Sequence, residues 1–89
     1  MDVSEVLDRV KSAMPEADVK VEGKDCDFTL TVISDEFQSL TRIKRQQQVL
    51  GYFSQELATG EIHALSIKTF TGNEWQVSQQ NELTQLVSL

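Results

Sequence analysis

The chain has 89 residues, is 39% hydrophobic and 25% charged, and carries a formal net charge of −6. That length makes one small domain with a modest core, which favours a surface site or an interface over an enclosed catalytic cavity. An acidic balance does not gather nucleic-acid phosphates by its overall field, and no apolar run approaches a membrane span, so no membrane role is expected.

The charge is uneven. Residues 1–40 hold 10 Asp/Glu and 4 Lys/Arg, whereas residues 41–89 hold 4 of each. The first ten residues, MDVSEVLDRV, are acidic and amphipathic rather than signal-like. A single cysteine, Cys26, cannot form an internal disulfide, which points to a cytoplasmic chain with a reduced thiol.

Val3, Val6, Leu7, Val10 and Met14 follow the spacing of an amphipathic helix. Asp2 with Glu5 offers a capping box at its start, and Pro15 ends it. Ala17, Val19 and Val21 alternate with Asp18, Lys20 and Glu22, the pattern of a half-buried strand. Gly23-Lys24-Asp25 reads as a turn into a second strand, which starts at Cys26, carries Phe28, Leu30 and Val32, and ends near Ile33. So short a connection implies an antiparallel hairpin. Ser34–Ser39 is a polar connection around Phe37, expected to plug into the core.

A long helix is expected from about Thr41 to the Thr59-Gly60 stop. Ile43, Leu50 and Leu57 are spaced by seven, with Val49 and Phe53 on the same face. Gly51 costs this helix about 1 kcal/mol relative to alanine and is read as a mark of close packing rather than a break. A third strand is expected over about Ile62–Phe70, with Leu65 and Ile67 on one face. Thr71-Gly72-Asn73-Glu74 is a second capping box, opening a short helix with Trp75 in its first turns. Residues 1–79 thus form the domain, and residues 80–89 an extension that either prolongs this helix or frays.

The element order is α-β-β-α-β-α, an α/β (α+β) fold with a three-stranded mixed sheet and helices packed on one face. Strand two, the long helix and strand three make a β-α-β unit, whose strands run parallel through a right-handed crossover. Cys26 and His63, the only histidine, then start neighbouring strands about 4.8 Å apart. By parity both point to one face at one rim. A thiolate and an imidazole there suit a soft or borderline metal, or two positions of an iron–sulfur cluster. Two ligands do not close a structural site, so a partner would supply the rest. The plainer alternative makes Cys26 a small buried hydrophobe and His63 a satisfied rim histidine. Asp25 and Asp27 beside the cysteine disfavour a nucleophilic thiolate, so no enzyme is expected.

The cluster Arg42, Lys44, Arg45 opens the long helix, where the macrodipole disfavours cations. It is either a solvated basic face or a site for a partner or nucleic acid.

Two groups of residues carry a family pattern. One is Ile62-His63-Ala64-Leu65-Ser66-Ile67-Lys68 with Thr71-Gly72-Asn73-Glu74-Trp75; the other is Ser34-Asp35-Glu36-Phe37 with Arg42-Ile43-Lys44-Arg45-Gln46-Gln47-Gln48-Val49. Together they resemble the BolA family, in its acid-stress-linked IbaG (YrbA)-like branch, over roughly residues 3–78. The resemblance implies a class II KH-like fold and partnership with a monothiol glutaredoxin. In such a pair a 2Fe-2S cluster is shared among the glutaredoxin cysteine, glutathione and the BolA-like chain. The family's histidine ligand falls on His63. The second ligand comes from the loop before strand two, where Cys26 stands; Asp27 or a partner group is the alternative. Imidazole ligation would make the shared cluster acid-sensitive, because protonation removes the ligand lone pair.

This sequence departs from the family pattern in four places. Asp27 stands where IbaG-like chains have a histidine, the glycine usual after Phe37 is replaced around Ser39, and Gly72 replaces a proline. There is no Gly-x-x-Gly loop of the kind that clamps a nucleic-acid backbone. Transcriptional control through weak DNA binding, also linked to the family, would rest on Arg42, Lys44 and Arg45 alone. The oligomeric state, monomer or homodimer, stays open.

Overall fold

The computed structural model describes residues 1–24 and 27–87, with side chains through residue 80 apart from that of Lys24. Helix α1 spans Val3–Ala13. The Asp2 carboxylate accepts from the Glu5 N–H at 2.9 Å, which forms the N-cap half of the capping box expected from sequence. The inward spacing puts Val6, Val10 and Met14 in the core.

Strand β1, Asp18–Lys24, pairs antiparallel with β2, Asp27–Ile33. The hairpin is tighter than the expected turn at residues 23–25. Gly23 and Lys24 lie inside the ladder, opposite Phe28 and Asp27. Gly23 has φ +131°, and a Cβ there would stand 2.2 Å from the Asp27 carbonyl oxygen, so only glycine fits. Asp25 and Cys26, which connect the strands, lie outside the described residues.

Strand β3, Ala64–Phe70, pairs parallel with β2, giving the sheet order β1-β2-β3. Phe28, Leu30 and Val32 on β2 are buried, and Leu65 and Ile67 flank them on β3. That face carries the core, closed by Val6, Val10, Met14, Phe37 and Phe53. Phe37 reaches it from a 3-10 turn over Asp35–Ser39.

The long helix expected from Thr41 is two helices, α2 (Arg42–Gly51) and α3 (Ser54–Thr59). Val49 and Phe53, expected on the inward face, are buried there, joined at the same spacing of four by Arg45, and Leu57 packs partly buried against the core; Ile43 and Leu50, expected on that face, are exposed. Ile43 lies on the opposite side of the helix and is 70% exposed. Gly51 corrects a second expectation: nothing lies within 4 Å of a Cβ built on it, so it marks the end of α2 and not a close approach. The chain tightens there, with Tyr52 and Phe53 N–H groups bonding to Val49 and Leu50 carbonyls. This turn lets Phe53 drop into the core. The Tyr52 carbonyl accepts instead from Arg9 Nη1 at 2.7 Å.

The last helix, α4, runs Gly72–Val87 and takes up most of the expected extension. Its capping box forms: the Glu74 N–H donates to Thr71 Oγ1 at 3.2 Å, and the Thr71 N–H donates to Glu74 Oε1 at 2.9 Å. Trp75 meets Phe70 edge-on, with ring centroids 5.2 Å apart, and Lys20 Nζ lies 4.5 Å from the indole centroid. Phe70 and Lys20 alternate with the core-facing residues of their strands, so the head of α4 turns toward the face that α1, α2 and α3 leave open. The whole is a mixed α+β fold with four helices and a three-stranded mixed sheet. No described helix is long and apolar enough to cross a membrane.

Candidate functional site

Parallel pairing brings the starts of β2 and β3 together, with Asp27 opposite Ala64. His63 immediately precedes β3 and is exposed. Its backbone is held on both sides. After it, Ala64 enters the ladder. Before it, Ile62 is 1% exposed and donates its N–H to the Glu56 carbonyl at 3.2 Å. Gly60 caps α3 in the left-handed region (φ 85°) and bonds to the same carbonyl at 3.1 Å. A Cβ on Gly60 would come to 4.0 Å from His63 Nε2, so the glycine leaves one side of the ring uncrowded. Among the described residues, none makes a hydrogen bond or ion pair to this imidazole. The backbone is fixed and the ring is offered to solvent, an arrangement suited to a ligand completed from outside.

The segment behind His63 is braced from α1. Arg9 grips the Glu56 carboxylate through both guanidinium nitrogens, at 3.0 and 2.9 Å, and lies 5.5 Å from the Phe53 ring centroid. The hydrogen bond from Arg9 holds the Glu56 carboxyl below its usual range, and the same pairing raises Arg9 above its own. The Arg9–Glu56 clamp depends on two residues 47 apart in the chain, and no local pattern marks it.

Of the two expected metal ligands, His63 lies one residue before β3, not within the strand as expected. Cys26 lies outside the described residues. Asp27 is exposed at the head of β2. Among the described residues no three of His, Cys, Asp and Glu come together as a metal site. Among the described residues, the exposed donor at this rim besides the Asp27 carboxylate is the His63 imidazole.

The expected basic cluster divides. Arg42 and Lys44 are exposed, but Arg45 is 5% exposed and its guanidinium is engaged. Arg45 Nε donates to the Phe37 and Leu40 carbonyls, each at 3.0 Å. Nη1 and Nη2 donate to the Glu74 carboxylate at 2.7 and 3.4 Å. The guanidinium carbon lies 5.8 Å from the Phe37 ring centroid. Arg45 therefore pins α2, the 3-10 turn and the head of α4 together and is not free to meet a phosphate. Glu74 serves both the capping box and this pair; Arg45 first, and the Thr71 N–H second, hold its carboxyl below the usual range. Arg42 lies beside Phe70 at the far end of β3 from His63, a strand's length of roughly 20 Å away.

A family model described as "BolA-like protein" matches residues 4–74. The chain belongs to the BolA-like family. Within it, the chain is 32% identical over 75 residues to the acid stress protein IbaG of Escherichia coli K12, covering 84% of this chain and 89% of that one. It is 40% identical over 58 residues to the DNA-binding transcriptional regulator BolA of Vibrio cholerae, covering 65% of this chain and 54% of that one. Among solved structures it resembles a bolA protein homologue from Coxiella burnetii, with a TM-score of 0.71 and 25% identity, over 85% of this chain and 97% of that one.

Proposed function

We propose that this chain is a non-enzymatic, cytoplasmic partner of a monothiol glutaredoxin, and that the two share a 2Fe-2S cluster used in cluster assembly, transfer or acid and iron stress. The observation that carries this reading is His63: a lone histidine with its backbone anchored on both sides and its ring exposed beside the paired starts of β2 and β3. When bound, the cluster would supply iron sites that both proteins and glutathione can occupy. The part played by this chain is to present the imidazole nitrogen at a fixed place, with Cys26, Asp27 or a partner group as the second donor. The reading of a nucleic-acid regulator is weaker, since the burial of Arg45 leaves two exposed cations of the expected three.

The test is a titration of a cluster-loaded monothiol glutaredoxin with this chain, followed by visible absorption and circular dichroism. The wild-type chain changes the cluster spectrum and His63→Ala abolishes the change. An unchanged spectrum with wild-type protein contradicts the proposal. Cys26→Ala weakens the effect; if it has none, the second ligand is elsewhere on this chain or on the partner.

A further inference from the structure

In the order β1-β2-β3, β3 is an outer strand, paired on one side only. Two hydrogen bonds show which residues face which way. The Phe70 carbonyl accepts from the Ser34 N–H at 2.8 Å, on the β2 side. The Ile67 carbonyl accepts from Gln46 Nε2 at 3.4 Å, on the open side. The N–H and C=O of a strand residue point to the same side, and the side alternates along the strand. Leu65, Ile67 and Thr69 therefore present their backbone groups to the open edge. Only the Ile67 carbonyl is met there by α2, through the long bond from Gln46.

Between this edge and α2 lies a groove of about 220 Å³, lined by Arg42, Gln46, Ile67, Lys68, Thr69 and Phe70. Its charged groups are Arg42 and Lys68, both exposed, and neither forms an ion pair with another described residue. No acidic residue lines it, although the chain as a whole carries −6. An unpaired edge is a template for another strand, and here the template is edged with positive charge.

We propose that the open edge of β3 takes an extended acidic peptide segment of a partner protein as a fourth strand. Its backbone pairs with Ile67 and Thr69, and its carboxylates meet Arg42 and Lys68. This is the β-augmentation mode, in which main-chain bonds hold the peptide and side-chain contacts select it. A second copy of this chain fits less well. Two β3 edges related by a two-fold axis would bring basic side chains together, a like-charge pairing that destabilises a ladder. Single-stranded nucleic acid would use the same cations without ladder bonds. The proposal does not rest on the cluster reading.

The experiment is a 15N NMR titration of the full chain with five probes. They are a ten-residue peptide alternating Glu with Val or Thr, its Lys-for-Glu counterpart, the acidic peptide N-methylated at alternate residues along either edge, and a dT ten-mer. The acidic peptide is expected to shift the Ile67 and Thr69 amides and slow their hydrogen exchange. Both N-methylated edges cannot face solvent at once, so one methylated form loses binding. The double variant R42E/K68E, which changes only exposed side chains, weakens binding about tenfold or more. Equal binding of the Lys peptide, indifference to methylation on both edges, or no binding at millimolar peptide overturns the proposal. So does tighter binding of the dT ten-mer. Self-association of the free chain that protects the same amides overturns it in favour of a dimer edge.

Discussion

Replacing Arg45 with methionine keeps the apolar stem and removes the guanidinium. The Leu40 carbonyl loses its side-chain donor, the Phe37 carbonyl loses one of two donors and keeps the Leu40 N–H, and the Glu74 carboxylate loses a two-pronged partner. A polar group stranded in the interior costs about 1–3 kcal/mol. Glu74 is 37% exposed at its side chain and recovers water, so its share is smaller. The expected loss is about 2–4 kcal/mol, a large part of the roughly 5–15 kcal/mol that holds a domain of this size. Urea unfolding followed by the fluorescence of Trp75, the only tryptophan, measures it as a lower midpoint at unchanged slope. At about 4–8 °C per kcal/mol, the melting temperature falls by roughly 8–32 °C. Arg42→Met and Lys44→Met, on the exposed side of α2, are expected to stay within about 0.5 kcal/mol of wild type. If Arg45→Met does the same, Arg45 belongs to the solvated basic face and the reasoning fails.

Three further outcomes follow from the same packing. Glu74 has a folded pKa below its ordinary 4.5, so its contribution is complete above that value and is lost as pH falls through the folded one. Glu74→Gln should therefore flatten the fall of urea midpoints between pH 5 and the acid limit of folding, and an unchanged slope would count against the pair. Gly51→Ala, in open space within a helix, should stabilise by about 0.5–1 kcal/mol, whereas Gly23→Ala should destabilise by about 1–3 kcal/mol through its clash with the Asp27 carbonyl. Arg9→Met releases Glu56 and should speed hydrogen exchange at Gly60 and Ile62, whose amides hang on the Glu56 carbonyl, more than at β2. Uniform acceleration would mean that Arg9 only adds global stability.

The strands and α1 are legible because their signals are local. Alternation in β2 names Phe28, Leu30 and Val32 as core, and the β-α-β rule brings His63 to the rim where β2 begins. The central helix misleads because apolar spacing by seven ignores the possibility of a buried arginine. Arg45 belongs to the inward set only because Glu74, 29 residues later, and the carbonyls of Phe37 and Leu40 receive it. No window on α2 contains those partners. The break after Gly51 is likewise set by the need of Phe53 to reach the core, with Arg9 taking the displaced Tyr52 carbonyl. For the site, sequence places His63, but the Arg9–Glu56 clamp and the open ring are visible only once α1 and α3 are packed. Cys26 stays an expectation from sequence.

The central claim is that the imidazole of His63 ligates a cluster shared with a glutaredoxin. Because His63 is the only histidine, growing this chain with 15N-histidine labels that imidazole and no other. Mixed with unlabelled, cluster-loaded monothiol glutaredoxin and reduced, the complex should show a directly bonded 15N coupling by pulsed electron paramagnetic resonance. The coupling should be missing with His63→Ala. A fully formed complex of the wild-type labelled chain that shows no 15N coupling would contradict the assignment of His63 as a ligand.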